Sequence, residues 1–250
     1  MTTVLRPGGA SRLVLICDHA TNFIPPELLG LGLAAAELDR HIAWDIGAAG
    51  VARQLSEVFD APAILCGVSR LVIDCNRQLN AADLIPEVSD GTVIPGNRRL
   101  SLKSKSDRIA RWFHPYHNAV EAILDPRHAR GVESIVVSIH SMTPQLRGGQ
   151  ARPWQIALSS HYDRRLTDPV LARLGSHSDG IIVGDNQPYD LDPAIDYSVP
   201  FHAIRRGLPH LQVEFRQDEI ADPAGQRKWS SLFAEALAPH LRHPVLAPAH

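Results

Sequence analysis

Apolar residues along this chain fall into two rhythms. Short unbroken runs at residues 12–17, 61–68, 70–75, 133–139, 154–158, 180–183 and 210–215 have the length and composition of buried strands. Between them lie stretches of helical period. Trp44, Ala48, Val51, Leu55 and Phe59 mark one face of a helix expected over 37–59. Ile109, Trp112, Phe113, Tyr116, Val120, Ile123 and Leu124 mark a second over 107–124, in which Pro115 should kink the chain or start a turn. Further helices are expected over 163–174 and 223–237. A turn at 67–69 should separate the strands 61–68 and 70–75. Strands alternating with helices define an α/β fold around a largely parallel sheet. No repeat and no linker-like segment interrupts the pattern, so one domain over 1–250 is expected, with its core at about 11–240.

Three stretches lack periodicity: 78–100, 141–153 and 184–200. The first carries Pro86, Gly91, Pro95 and Gly96, and loops of such length in a compact domain are usually functional or mobile.

The strand ends carry the chemistry. His19 follows the run 13–17, Asn76 and Arg77 follow 71–75, His140 follows 135–139, and Glu214 lies within 211–215. In open α/β sheets the ligand crevice lies outside the carboxyl ends of the strands, so these groups should converge there. Imidazole is the commonest nitrogen ligand of zinc, and two histidines in equivalent settings point to a divalent metal. Either could instead be a hydrogen-bonded histidine at a strand end. Asp18 is either structural or the partner that fixes a ring tautomer. Asp45 is the leading carboxylate ligand, its bland alternative being an acid in the first turn of a helix, favoured by the helix dipole. Arg77 can grip a carboxylate through two parallel hydrogen bonds, or can serve a structural ion pair. Arg70, at the start of the same run, is a less specific substrate contact. Burial should raise the pKa of Glu214 and suit it to shuttle a proton, unless it pairs with Arg216 on the same strand face.

Charge and composition narrow the function classes. With 25 basic against 27 acidic residues there is no electrostatic footprint for nucleic acid or an anionic membrane. No apolar run is long enough to span a bilayer, and residues 1–12 contain none that would serve as a signal core. Cys17, Cys66 and Cys75 cannot all pair and lie in or beside apolar runs, which points to reduced thiols and a cytoplasmic protein.

The segments Cys-Asp-His-Ala-Thr, Trp-Asp-Ile-Gly-Ala, Ser-Arg-Leu-Val-Ile-Asp-Cys-Asn-Arg, Pro-Tyr-His, Ser-Ile-His-Ser and Leu-Gln-Val-Glu-Phe-Arg stand in the order found in N-formylglutamate amidohydrolases. From about residue 13 to 239 the chain resembles that family, which is itself similar to the zinc carboxypeptidases and aspartoacylases. The resemblance implies a three-layer fold, a mixed, mostly parallel sheet with helices on both faces. It implies one catalytic Zn2+, or another divalent metal, on His19 and His140. It further implies Asn76 and Arg77 for the substrate carboxylate and Glu214 as acid and base; Arg70, and His202 in the segment Val-Pro-Phe-His that also matches the family, are candidate additional substrate contacts. His117 matches a family segment without an implied role. One departure stands out: the carboxypeptidase-like relatives take a metal ligand three residues after the first His, and Asn22 occupies that position here. An anion holds a divalent cation better than an amide, so Asp45 is preferred as the third ligand.

The implied reaction is hydrolysis of the amide of a small N-formyl or other N-acyl amino acid. Two alternatives compete. Cys17 could act with His19 as a metal-free cysteine hydrolase, since residues two apart on an extended segment share a face. The chain could also bind or sense an acylated amino acid without turnover, in which case Glu214 would have no proton to move.

Overall fold

The structure is a computed structural model and describes residues 1–177 and 180–241. Nine strands and seven α-helices follow in the order β1 (Thr3–Leu5), β2 (Leu13–Cys17), α1 (Ala35–Leu38), α2 (Ala48–Phe59), β3 (Ala63–Leu65), β4 (Val88–Ser89), β5 (Thr92–Val93), α3 (Leu102–Arg108), α4 (His114–Ala129), β6 (Ile135–Met142), β7 (Ile156–Ser159), α5 (Thr167–Gly175), β8 (Val183–Asp185), α6 (Ser198–His202), β9 (His210–Arg216) and α7 (Pro223–Leu241) among the described residues. A seven-stranded sheet runs β1-β3-β2-β6-β9-β7-β8. The pairs β3–β2, β2–β6, β6–β9 and β7–β8 are parallel, while β1 and β7 run antiparallel to β3 and β9. This is the mixed, mostly parallel sheet with helices on both faces that the resemblance implied.

Strand alternation sorts the core into two layers. Leu13, Leu15, Ile135, Val137, Ile139, Leu211, Val213 and Phe215 point to the face covered by α2, α5 and α7. Val14, Ile16, Ile64 and Val136 point to the other face, where α4 delivers Tyr116 and Val120 and the turn before it delivers Phe113. Each fully buried Leu, Ile, Val or Phe contributes about 1.5–3 kcal/mol. On the α4 face of β6 and β9 the apolar alternation gives way to Ser138, His140, Gln212 and Glu214, all buried. Four polar side chains on a buried sheet face need partners, and the site lies there.

The expectations for 12–17, 133–139 and 210–215 agree with β2, β6 and β9, although β6 runs on to Met142 and so contains His140. Three expectations fail. Residues 180–182 are not extended into the sheet, and the strand there is β8, within the expected loop but for Val183. Residues 70–75 form turns instead of a strand: Ser69 Oγ accepts from Leu71 N at 3.1 Å and Val72 N bonds Ser69 O at 2.9 Å. The run is apolar because Leu71, Val72 and Ile73 are buried under α4, not because it is extended. The helix expected over 37–59 begins only at Ala48. Gly47 breaks it with φ +82°, and a Cβ there would lie 2.1 Å from the Ile220 carbonyl oxygen, so the close approach to β9's continuation requires glycine. Pro115 sits in the first turn of α4, where its missing N–H costs no helix bond, after a π-helical turn over residues 109–113 that joins α3 to α4. The loop 78–100 holds the short β4–β5 hairpin. No described helix is long and apolar enough to cross a membrane.

Candidate active site

Parallel β2, β6 and β9 put their carboxyl ends on one edge of the sheet. His140 and Glu214 are register partners on β6 and β9, so their side chains stand side by side on the α4 face. His19 follows two residues after β2. The turn before α2 supplies Asp45, whose backbone N–H donates to His19 O at 3.0 Å, so two segments far apart in sequence are tied by their main chains.

His19, Asp45 and His140 offer one ligand atom each, all within 4.8 Å of one another and all buried, an arrangement that could hold a metal ion. Asp45 Oδ2 lies 3.2 Å from His19 Nδ1 and 2.8 Å from His140 Nδ1. The outer nitrogens are anchored as well. His19 Nε2 donates to Asp74 Oδ1 at 2.7 Å. His140 Nε2 lies 2.9 Å from Ser138 Oγ and 3.3 Å from Asp18 Oδ2. A proton fixed on each Nε2 would leave both Nδ1 atoms as acceptors beside the one oxygen Asp45 Oδ2, the carboxylate–histidine arrangement of metal sites. The donor set therefore fits a divalent cation: two imidazoles and a carboxylate, with a fourth position open as in catalytic zinc sites.

Electrostatics agree with the geometry. Burial pushes the Asp45 carboxyl up, but the two facing imidazoles outweigh it and hold it far below the usual carboxylate range. Burial likewise opposes charge on His140, and Asp18 and Asp45 overcome that to raise its pKa well above the ordinary imidazole value. Three anions around two rings are unbalanced unless protons or a cation sit between them.

Glu214 differs from the other acids. It is 5% exposed, its Oε2 has no hydrogen-bond partner, and Oε1 is 3.5 Å from Gln212 Nε2. Burial pushes its pKa up to about 7 against the pull of His140. The expected competitor, Arg216, pairs instead with Asp218 and Glu219.

His19, Asp45, His140 and Glu214 open into a cavity of about 270 Å³ that they line together with Arg70, Asn76 and Arg77. Asn76 is largely committed to structure: its Oδ1 accepts from Tyr197 N and Ser198 N at the start of α6, and its Nδ2 donates to Asp196 at 3.0 Å. Arg77 is split between Asp83 at 2.9 Å and Asp196 at 3.4 Å. Arg70 joins Asp74 at 2.7 Å to Asp45 at 3.6 Å.

His202 is a correction. It is fully buried behind the cavity wall, not on it. Its Nε2 donates to His117 Nδ1 at 2.9 Å, and His117 Nε2 donates to the Cys75 carbonyl at 2.9 Å, so the pair braces the segment that carries Asp74 and Asn76. Burial keeps both neutral, lowering His117 to about 4 and His202 to about 3. Asn22, the other candidate third donor, gives its amide to Leu38 O and does not line the cavity. Cys17 packs in the α2 and α7 layer on the opposite sheet face, and burial raises its thiol pKa, which removes the cysteine hydrolase. Sequence reasoning passed over Tyr189, Asp196 and Gln212, and took Asp74 only for a structural ion-pair partner of Arg77. Asp74 had a signal, an acid between apolar Ile73 and Cys75; the others lie on segments whose approach depends on the fold.

A polar cavity with an isolated buried acid, at the carboxyl edge of a mostly parallel α/β sheet, defines an enzyme-type site. The N-formylglutamate amidohydrolase family model matches residues 11–221, and the chain belongs to that family of hydrolases. It is similar to the crystal structure of gene product Atu2144 from Agrobacterium tumefaciens, at 34% identity over 96% of this chain and 95% of that one, with a TM-score of 0.89. It shares its fold with the N-formylglutamate amidohydrolase from Ralstonia eutropha JMP134, at 22% identity over 96% and 98% of the two chains and a TM-score of 0.71. No curated protein matches the chain.

Proposed function

We propose that the protein is a divalent-metal-dependent, most simply zinc-dependent, amidohydrolase of small N-formyl or other N-acyl amino acids. Family membership supports hydrolysis of a linear amide, and N-formylglutamate is the first substrate to test. The observation that carries the metal dependence is the shared focus of His19 Nδ1, Asp45 Oδ2 and His140 Nδ1, with both outer ring nitrogens held by carboxylate-linked partners.

A divalent cation held by these three residues would supply Lewis-acid polarisation of an acyl carbonyl and acidify a water molecule. Glu214 takes a proton as water adds to the carbonyl carbon, and returns it to the amide nitrogen as the amino acid departs. A carboxyl with pKa about 7 is suited to both transfers near neutral pH. Arg77 binds the substrate carboxylate through Nη2, which no described acid engages, with the Asn76 amide as its partner on the cavity wall. Arg70 helps to keep Asp74 ionised, and so acts on His19 through that carboxylate. Loss of one or two substrate contacts would leave the amide in place but misaligned, which is where positioning contributes to rate.

The test is to follow free amine release from formyl-, acetyl- and carbamoyl-amino acids by the zinc-loaded and chelator-stripped protein. Turnover that chelator abolishes and zinc restores is expected. Full turnover after stripping, or tight binding of an acylated amino acid with no turnover in the loaded protein, overturns the proposal.

A further inference from the structure

Both guanidiniums on the cavity wall are already faced by acids. Arg70 meets Asp74 and Asp45, and Arg77 meets Asp83 and Asp196. The remaining basic wall residue outside the metal cluster, His41, lies 3.5 Å from Asp90, and burial lowers its pKa. Across the cavity the segment from Tyr189 to Asp196 contributes Asp190, Asp192 and Asp196. Asp190 is exposed and, among the described residues, makes no ion pair or hydrogen bond. A separate observation concerns Gln212: it lines the same cavity, is 4% exposed, and its Oε1 is a buried acceptor without a donor. A buried acceptor left unpaired is costly, and a ligand N–H would satisfy it while a carboxylate would not.

An N-acyl amino acid brings one α-carboxylate, for which Arg77 Nη2 suffices. A second carboxylate on its side chain would meet Asp190 and Asp192, while Arg152, a guanidinium without an ion pair among the described residues, lies outside the lining and gives its N–H groups to Thr143 O and Tyr189 Oη; like charges across a binding surface are strongly disfavoured. From this arrangement, and resting on the amidohydrolase reading above, we infer that the preferred substrates are N-acyl amino acids whose side chain carries no carboxylate and donates hydrogen bonds, a carboxamide or a cationic group. Asp190 and Asp192 are the specificity-determining residues, and Gln212 is the acceptor for a substrate N–H. N-formylglutamate then becomes a poor substrate compared with its neutral isostere.

The experiment compares kcat/KM of the zinc-loaded enzyme for N-formylglutamate, N-formylglutamine and Nα-formyllysine at low and high salt. Glutamine and glutamate derivatives share size and shape, so their ratio reports the side-chain charge together with the N–H offered to Gln212, and its salt dependence separates the two. The glutamine derivative should exceed the glutamate one by about tenfold or more, the lysine derivative should also exceed it, and the gap should narrow as salt screens the wall. Asp190→Lys, at an exposed position without partners, should shift the ratio toward glutamate. Equal or better turnover of N-formylglutamate, or a ratio that Asp190→Lys leaves unmoved, overturns this inference and leaves the amidohydrolase reading standing. Turnover of no derivative sinks both.

Discussion

Replacing Asp74 by Asn removes an anion that touches the metal cluster only through His19. Asp74 is 3% exposed, accepts from His19 Nε2 at 2.7 Å through one oxygen, and meets Arg70 Nη2 at 2.7 Å through the other. The amide of Asn can still accept from Nε2, so ring orientation survives while the negative charge that makes Nδ1 a stronger donor is lost. Outer partners of this kind are worth about 10–100-fold in metal affinity, or roughly 1.4–2.8 kcal/mol. Arg70 also loses its nearer acid. Removing one member of a buried ion pair costs roughly 3–5 kcal/mol, and Arg70, with its side chain 26% exposed and Asp45 still 3.6 Å away, should fall at or below the low end of that range. Competition with a fluorescent chelator reads the affinity, and thermal unfolding of the stripped protein reads the second effect separately. Asp18→Asn is the internal comparison: Asp18 is 3.3 Å from His140 Nε2, and Ser138 Oγ at 2.9 Å shares that proton, so its loss should weaken zinc less. Wild-type zinc affinity in Asp74→Asn, or a larger loss in Asp18→Asn, would refute the reasoning.

Glu214→Gln should lower kcat by about 10²–10⁴ while leaving zinc affinity nearly unchanged. In the parent enzyme the base form of Glu214 is lost as pH falls through about 7, a point that a bound cation draws lower, so kcat/KM should decline on the acid side and the variant should lack that limb. An unaltered acid limb in Glu214→Gln would assign it to another group. Arg77→Lys keeps the charge but loses the planar fork, and should raise KM more than it lowers kcat in steady-state assays; a change in kcat alone would contradict its role. Gly47→Ala must place a Cβ 2.1 Å from Ile220 O at φ +82°, so calorimetry should show a loss of at least about 1 kcal/mol, or about 2–4 °C in Tm for a chain of this length.

Much of this site was legible because buried strands announce themselves as unbroken apolar runs. Such runs located β2, β6 and β9 and, with them, His19, His140 and Glu214 at one sheet edge. The same rule misread 70–75, because an apolar run reports burial and not backbone conformation. The helical period overran Gly47 because Trp44, like α2, faces an apolar neighbour, although it lies in a turn. His202 was placed at the substrate from a matching segment, yet α6 turns it inward to His117. Asp18 is legible in the sequence as a ring partner, but that its ring is His140, and that Asp74 holds His19, depends on the spatial order of β2, β6 and the 70–75 turns. The acidic wall belongs to a loop without periodicity, whose approach to the cavity nothing local encodes.

Zinc titration of the stripped protein by isothermal calorimetry, beside His140→Ala and the exposed-site control His114→Ala, goes directly to the central claim. One tight zinc per chain in the parent and in His114→Ala, lost in His140→Ala, is the expected result. One tight zinc retained by His140→Ala, or none in the parent, would contradict it.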